Sequence, residues 1–289
     1  MMKVGVSTYS FGKYCAELGM FGVLDKIKEF GADAVDYIPF EKEDHNKAME
    51  LAAQYGEHME NIGLVGACYC VGANFLEKDR NAVVEKLCRD ADVAKALRCP
   101  VMRFDIAYGF ASDVKSKRSY DSFLESGAIE YIRQVVDYAE SIGIVTCTEN
   151  HGFFSQDAER VEKVINLVDR NNFGSLVDMG NFCCCDGDFA KSVGLVAQYA
   201  RHAHAKDIYV KPGYMDDPGE GWGQSRNGNY IQGTVIGHGD VPVKQCLRIL
   251  KKNGFDGAVS IEFEGKEDPL FGVRVGVANL RRFINEIYQ

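Results

Sequence analysis

Short β-rich runs alternate with longer amphipathic segments along the chain, and this alternation restricts the fold more than any other feature. Parallel strands need long crossovers, usually helical, so repeated strand–helix units predict a parallel α/β fold. The predicted strands are Lys3–Thr8, Ala34–Ile38, Leu64–Val71, Val101–Ile106, Ile144–Glu149, Gly174–Asp178, His202–Lys206 and Ala258–Glu262. The clearest predicted helices are Phe21–Phe30, Asn81–Leu97, Ile129–Ile142, Glu159–Val168 and Val243–Lys252.

Eight such units favour a closed (β/α)8 TIM barrel over an open sheet, and 289 residues without a Pro/Ser-rich linker predict a single domain, residues 1–289. Gly31, Gly143 and Gly254 each follow a helical run and precede a strand, where a left-handed residue commonly ends a helix. One connection, between Asp207 and Val241, has more than thirty residues. Its place after the seventh strand predicts a functional loop on the C-terminal face of the barrel.

Charge and hydropathy exclude several classes of partner. A net charge of −9 disfavours nucleic acid, because phosphate binding needs a basic face. No stretch approaches the roughly 20 apolar residues of a membrane span. The start, Met1 to Ser10, lacks a basic region followed by an apolar run, so we expect a cytoplasmic protein with reduced thiols at its ten cysteines.

Four consecutive predicted strands end in a side chain that can bind a metal. These residues are Glu149, Asp178, His204 and Glu262. Active sites of such barrels lie at the carboxyl ends of the strands, and the period of two along each strand aims all four side chains inward. Three carboxylates at one point would repel strongly unless a cation neutralised them. The sequence therefore predicts one divalent metal ion, with Mn²⁺ preferred and Mg²⁺, Co²⁺ or Zn²⁺ as alternatives.

Three further residues are candidates for chemistry or substrate binding at the same mouth. His151 lies two residues beyond Glu149 and is a candidate base, or else a loop histidine that binds backbone. Lys206 shares the inward face of His204 and is a candidate catalytic cation, or else a salt-bridge partner of a nearby aspartate. Arg103 is a candidate substrate clamp, or else one half of a buried pair with Asp105.

Other residues near the mouth have weaker assignments. Trp222, in the long connection, is a candidate for stacking on a sugar and is also compatible with a contact between subunits of a homo-oligomer. His238 is a candidate substrate contact in "GHGDVP", where we expect Asp240 to cap the next helix. We expect Asp36 to be structural and His202 to lie one layer below the metal. The three adjacent cysteines from Cys183 do not have the spacing of a metal site.

The motifs together resemble the xylose-isomerase-like sugar phosphate isomerase/epimerase superfamily. The resemblance covers nearly the whole chain, through "VGVSTYSF", "RFD", "ENHG", "VDMGN", "HAHAKD", "GHGDVP" and "GFDGAVSIEFEG". It implies a TIM barrel that acts on a small carbohydrate and binds its metal through Glu149, Asp178, His204 and Glu262. It also implies that Glu149 and Glu262 act as an acid–base pair on opposite sides of a sugar.

The motifs identify the family more specifically than they identify the reaction. Ketose epimerases carry a histidine three residues after the metal-binding aspartate, and this chain has Asn181, a candidate substrate contact, at that position. The "ENH" phrase with His151 resembles the lyases and dehydratases of the superfamily that act on oxidised sugars. We therefore expect an isomerase or epimerase that removes a proton beside a carbonyl, with β-elimination from a 3-oxo-sugar, 3-oxo-glycoside or inosose as the alternative.

Two rival functions use the same barrel. An apurinic endonuclease needs several more histidines for a zinc cluster and a basic DNA face, whereas this chain has six histidines and an excess of acidic residues. A barrel that binds a sugar without converting it would not need Glu149 and Glu262. Both rivals are therefore disfavoured by the residues present.

Overall fold

The computed structural model describes residues 1–39 and 44–289, and in these residues eight parallel strands close into a barrel. The described residues contain eleven strands, of which β8, β9 and β10 lie outside the barrel: β1 (Lys3–Ser7), β2 (Ala34–Tyr37), β3 (Val65–Val71), β4 (Val101–Phe104), β5 (Val145–Glu149), β6 (Phe173–Asp178), β7 (Ala200–Ala205), β8 (Asp207–Lys211), β9 (Gly223–Gln224), β10 (Tyr230–Thr234) and β11 (Ala258–Ile261). The barrel has the ring order β1-β11-β7-β6-β5-β4-β3-β2. The predicted (β/α)8 TIM barrel is confirmed.

Helices cover the outside of the barrel. Their bounds are α1 (Tyr14–Glu29), α2 (His45–Asn61), α3 (Arg80–Ala96), α4 (Tyr120–Leu124), α5 (Ala128–Ser141), α6 (Ala158–Val168), α7 (Phe189–Val196), α8 (Val243–Lys252) and α9 (Pro269–Tyr288). The first helix begins earlier than predicted and is broken at Gly19, which has a φ of 64°. None of the helices in the described ranges is long and apolar enough to cross a membrane.

The turns from helix to strand have the predicted left-handed glycines. Gly31, Gly143 and Gly254 have φ values of 85°, 83° and 86°. A residue with a Cβ is strained in this conformation, whereas glycine adopts it readily. These turns therefore return the chain to the start of the next barrel strand in the same way at three places.

Alternation along β11 separates apolar residues that face the outer helices from polar residues that face inward. In β11, Val259 and Ile261 are fully buried, and Ile261 packs against Gly276 of α9. Ser260, between them, faces the neighbouring barrel strand at Gly5. Burial of each branched side chain stabilises the fold by about 1.5–3 kcal/mol, so a one-residue slip in register would be costly. The register that buries these residues also directs Glu262 inward.

The connection predicted as a long loop contains regular structure. Strands β8, β10 and β9 form a three-stranded antiparallel sheet beyond the end of β7. The Asp207 carboxylate accepts hydrogen bonds from the backbone N–H groups of Ile208, Gly237, Gly239 and Val241 at 2.7–3.2 Å. The "GHGD" phrase thus wraps a buried carboxylate, and a Cβ at Gly239 would overlap it.

The predicted helix cap at Asp240 is wrong. Helix α8 begins after Pro242 and has no side-chain cap. The Asp240 carboxylate instead accepts a hydrogen bond from the Val210 N–H at 2.7 Å. Local sequence resembles a capping motif, but the antiparallel sheet brings an unpaired strand N–H closer to this carboxylate than the helix N-terminus.

Candidate metal centre and active site

Four side chains meet at the carboxyl ends of the last four barrel strands. Glu149 ends β5, Asp178 ends β6, His204 lies in β7 and Glu262 follows β11. The His204 Nδ1 atom is 3.8 Å from Glu149 Oε1, 3.8 Å from Asp178 Oδ2 and 3.7 Å from Glu262 Oε2. One ligand atom from each residue lies within 4.8 Å of all the others. The structure thus brings together the four residues that the sequence predicted as metal ligands.

The polar atoms in this cluster fit a divalent cation. Asp178 Oδ2 and His204 Nδ1 are buried and have no hydrogen-bond partner among the residues that the structure describes. The distances from Nδ1 to the three carboxylate oxygens are too long for hydrogen bonds, which require about 3.2 Å or less. A cation between these atoms would satisfy both buried groups, and three oxygens with one imidazole nitrogen suit Mn²⁺, Mg²⁺ or Co²⁺.

Asp36 sets the orientation of the histidine. Its Oδ2 atom is 2.9 Å from His204 Nε2 and 2.6 Å from His202 Nε2, and all three side chains are buried. Although burial opposes ionisation, the two histidines lower the pKa of Asp36 to about 2. An ionised Asp36 can only accept, so both Nε2 atoms donate, and the neutral tautomer of His204 directs a lone pair on Nδ1 at the cluster.

The cluster is electrostatically unbalanced without a cation. Burial, opposed by Lys206 and reinforced by Glu149 and Glu262, raises the pKa of Asp178 to about 6. Burial alone would lower the pKa of His204, but the Glu262 charge and the hydrogen bond to Asp36 raise it well above its ordinary value. A proton and a cation would therefore compete for the same position on His204 Nδ1.

Arg103 neutralises one side of the cluster. Its Nη2 atom is 2.6 Å from Glu149 Oε2 and 2.7 Å from Asp105 Oδ1. Burial opposes ionisation of Glu149, but Arg103 holds the pKa of this carboxyl below its usual range. The sequence predicted Arg103 either as a substrate clamp or as half of a buried pair with Asp105. Its observed ion pairs are with Asp105 and Glu149. A role as a substrate clamp stays a prediction.

His151 contacts the same aspartate as Arg103. Its Nδ1 atom is 3.0 Å from Asp105 Oδ1, and the hydroxyl of Tyr108 donates to Asp105 Oδ2 at 2.6 Å. Its side chain is 44% exposed, so the ring is reachable from the mouth. Burial opposes protonation, but the bond to Asp105 raises the pKa of His151 above its ordinary value. With Nδ1 donating to Asp105, Nε2 is the nitrogen that can accept a proton.

Lys206 neutralises the other side of the cluster. Its Nζ atom is 2.7 Å from Glu262 Oε2, 2.9 Å from Asn181 Oδ1 and 3.3 Å from Glu264 Oε1. Burial opposes ionisation of Glu262, but Lys206 holds its pKa well below the usual range. Asn181 also donates to Glu149 Oε1 at 2.9 Å, so this side chain links Lys206 with the cluster. Lys206 Nζ also lies 3.6 Å from Asp178 Oδ2. The sequence predicted such a salt bridge as the alternative to a catalytic role.

Two predicted substrate contacts lie apart from these networks. Trp222 is partly buried and its ring lies 4.9 Å from Lys211 Nζ. His238 has an exposed side chain, and its backbone N–H donates to Val235. Neither ring takes part in the described contacts of the cluster, so both assignments stay predictions.

Sequence reasoning missed two residues that support the site. The Asn150 side chain donates to the Asp178 carbonyl and accepts from the Asp178 N–H, both at 3.0 Å. These two bonds fasten the end of β6 to the end of β5. Glu264 lies beside Lys206 although it is outside the strand. The continuing alternation Ser260, Glu262, Glu264 was the signal that could have found it.

A closed parallel barrel with an acidic cluster and one histidine at the carboxyl ends of its last strands defines a class of candidate metalloenzymes. The chain belongs to the xylose isomerase-like TIM barrel family, whose model matches residues 24–283. The resemblance noted from the motifs is therefore confirmed. A sequence comparison with curated proteins finds no match.

Solved structures with the same fold include several enzymes. A structure of L-ribulose 3-epimerase is 12% identical, with a TM-score of 0.73 and coverage of 100% of this chain and 96% of that one. The probable 3-DHS dehydratase AsbF of Bacillus anthracis is 14% identical, with a TM-score of 0.73 and coverage of 97% and 99%. A xylose isomerase-like TIM barrel protein of Mycobacterium smegmatis in complex with magnesium is 17% identical, with a TM-score of 0.72 and coverage of 99% and 97%. At these identities the likeness shows the fold alone.

Proposed function

We propose that this protein is a divalent-metal-dependent isomerase or epimerase of a sugar or sugar-like polyol, which removes a proton beside a carbonyl. The observation that carries the proposal is the unpartnered His204 Nδ1 at 3.7–3.8 Å from three carboxylate oxygens. Glu149, Asp178, His204 and Glu262 would hold the metal, for which Mn²⁺ is our first candidate. Such an ion acts as a Lewis acid that stabilises the negative charge developing on a substrate oxygen.

The protein's own groups supply the remaining requirements. Arg103 and Lys206 keep Glu149 and Glu262 ionised at neutral pH, as both metal binding and proton acceptance require. These two carboxylates would be the acid–base pair of an epimerase, one on each side of the substrate. His151 stands beside Glu149 as a further proton acceptor whose ring is oriented by Asp105.

One observation favours a second candidate function. His151, held by Asp105, has the geometry of a general base whose second nitrogen is free to take a proton. A single base of this kind suits β-elimination from a 3-oxo-sugar, 3-oxo-glycoside or inosose, because the proton needs to be removed but not returned to the same carbon. A metal-dependent lyase or dehydratase is therefore the alternative.

Metal content and product analysis test the proposal together. The purified protein would be analysed for bound metals, stripped with a chelator, and incubated with Mn²⁺, Mg²⁺, Co²⁺ or Zn²⁺ and a panel of neutral and 3-oxo sugars in D₂O. A product of unchanged constitution with deuterium beside the carbonyl supports the isomerase or epimerase. A product that has lost a substituent supports the lyase. A metal-free protein that binds sugar without converting it would contradict both.

The variant His151→Ala separates the two enzyme functions. We expect it to abolish a lyase, but to lower the rate of an epimerase only moderately because Glu149 and Glu262 remain. The matched control is His58→Ala, because His58 pairs with Asp25 on the outer helices. Loss of activity in the control as well would show that the effect is not specific to the site.

A further inference from the structure

A second layer of polar side chains lies directly above the cluster on one side of the mouth. Glu264 lies two residues beyond Glu262, and Lys206 two beyond His204, so both continue the inward faces of their strands. Lys206 Nζ is 3.3 Å from Glu264 Oε1. Tyr9 follows β1, the barrel strand beside β11, and the neighbouring Glu264 charge raises the pKa of its hydroxyl. We call Tyr9, Lys206 and Glu264 the upper wall.

Glu264, unlike Lys206, is reachable from solvent, and its backbone is packed against β10. The Glu264 side chain is 39% exposed, compared with 11% for Glu262. Gly233 of β10 forms a parallel bridge with Gly265, and a Cβ at Gly233 would overlap the Glu264 carbonyl. The antiparallel sheet therefore packs against the backbone on which Glu264 stands. A carboxylate held in this way is preorganised for recognition.

The upper wall faces the His151–Asp105 pair across the barrel. In the ring order, four steps separate β11 from β4 and β1 from β5, so these strands are diametrically opposed. Asp105 and His151 follow β4 and β5, whereas Glu264 and Tyr9 follow β11 and β1. A molecule at the metal cluster would lie between the proton-accepting histidine and Glu264.

The charges at the mouth favour an uncharged ligand. The two cations that the described barrel strands aim inward are both committed to carboxylates of the protein. Arg103 contacts Glu149 and Asp105, and the close partners of Lys206 include Glu262 and Glu264. An ammonium has three hydrogens, and Lys206 already has Asn181 as its third close partner. Of the two charged members of the upper wall, Glu264 is 39% exposed and Lys206 only 4%, so the charge that the wall presents to a ligand is negative.

We infer that Glu264 is a specificity residue that accepts a hydrogen bond from a hydroxyl of an uncharged polyol and disfavours phosphorylated or carboxylated sugars. This inference rests on the proposed function, since it assigns the substrate class of the same site. A hydroxyl can donate to the carboxylate, whereas a phosphate or carboxylate would be repelled by it.

The test compares binding of three ligand classes by the Mn²⁺-loaded protein. Neutral ketoses, their 6-phosphates and hexuronates would be titrated, with Mn²⁺-dependent broadening of ligand proton resonances as the readout. For Glu264→Gln, we expect about tenfold weaker binding of the neutral ketoses, because a charge-assisted hydrogen bond becomes a neutral one. We expect the 6-phosphates and hexuronates to bind about tenfold more tightly than to the wild type.

Two controls keep the result interpretable. Glu220→Gln removes one negative charge from the segment before β9, where the Glu220 carbonyl accepts a hydrogen bond from Lys266. The affinity for all three ligand classes should stay unchanged in this variant. Glu264→Asp keeps the charge and should continue to exclude the anions. Unchanged ligand ranking in Glu264→Gln, or tighter wild-type binding of the 6-phosphates than of the ketoses, overturns the inference and leaves the proposed function standing. Absence of Mn²⁺-dependent broadening by all three classes contradicts the proposed function and the inference with it.

Discussion

The substitution Asp36→Asn tests whether Asp36 governs metal binding indirectly. Its described contact with the four candidate ligands is the hydrogen bond with His204. The Asp36 side chain is fully buried and receives both His202 Nε2 and His204 Nε2 on one oxygen. Lowering its pKa from an ordinary 3.8 to about 2 corresponds to about 2 kcal/mol of folding free energy, at 1.36 kcal/mol per unit. Because the folded-state pKa is the lower one, this stability is complete above about pH 4 and is lost as the pH falls through about 2.

The amide would lose this contribution at pH 7 and add a second cost. Asp36 Oδ1 is buried without a hydrogen-bond partner, so an asparagine that keeps its oxygen at the Oδ2 position buries an unpaired NH₂ group. An unpaired buried donor costs about 1–3 kcal/mol. We therefore expect the metal-free variant to be about 3–5 kcal/mol less stable than the wild type in urea unfolding at pH 7.

The same substitution should weaken metal binding, because Asp36 orients His204. Removing an outer partner of a metal-binding histidine typically lowers affinity about 10–100-fold, and calorimetric titration with Mn²⁺ would measure it. Asp207→Asn is the matched control, because it alters a buried carboxylate that binds only backbone N–H groups. The control should lose stability and keep its Mn²⁺ affinity. Equal Mn²⁺ affinities in Asp36→Asn and the wild type would refute the reasoning.

Three other predictions follow from the cluster and its surroundings. Mn²⁺ at 100 times its dissociation constant should stabilise the protein by about 2.7 kcal/mol, measured in calorimetry as a higher melting temperature. His204→Ala should remove this shift in melting temperature, and an equal shift in that variant would contradict the proposed metal site. For the lyase alternative, in which neutral His151 would be the base, kcat/KM should rise with pH through a pKa above the ordinary 6.5 of histidine; a profile unchanged in His151→Ala would contradict a role for His151 as base. Gly239→Ala should destabilise the protein by about 1–3 kcal/mol in urea unfolding, because its Cβ overlaps the Asp207 carboxylate; unaltered stability would show that the loop can relax.

The convergence of the candidate ligands was predictable, because it depends on a periodicity that a single strand contains. Glu149, Asp178 and Glu262 stand where inward-facing positions reach the carboxyl ends of strands, and the barrel closes these ends around one axis. Lys206 and Arg103 were placed at the mouth for the same reason. Their exact partners were not predictable, since Arg103 reaches Glu149 on a different strand and Lys206 reaches Glu264 beyond the end of another.

The insertion after β7 was less predictable. Its length and position were apparent, but its antiparallel pairing joins residues of low hydrophobic periodicity through backbone hydrogen bonds. The role of the "GHGD" phrase was misread for a related reason. An aspartate shortly before a helix suggests an N-cap, whereas Asp240 here accepts from the Val210 N–H and the glycine N–H groups enclose Asp207.

The order of polar and apolar residues along the chain was sufficient to determine eight strand–helix units and the inward direction of the candidate ligands, and the sequence motifs indicated the family to which the chain belongs. Only the tertiary structure decided which acid orients His204, which cation neutralises which carboxylate, and where Glu264 stands. The physical reason is that periodicity is a property of one segment, whereas hydrogen bonds and ion pairs in a barrel mouth join side chains from strands far apart in sequence, and their partners follow from distances that only the closed ring defines.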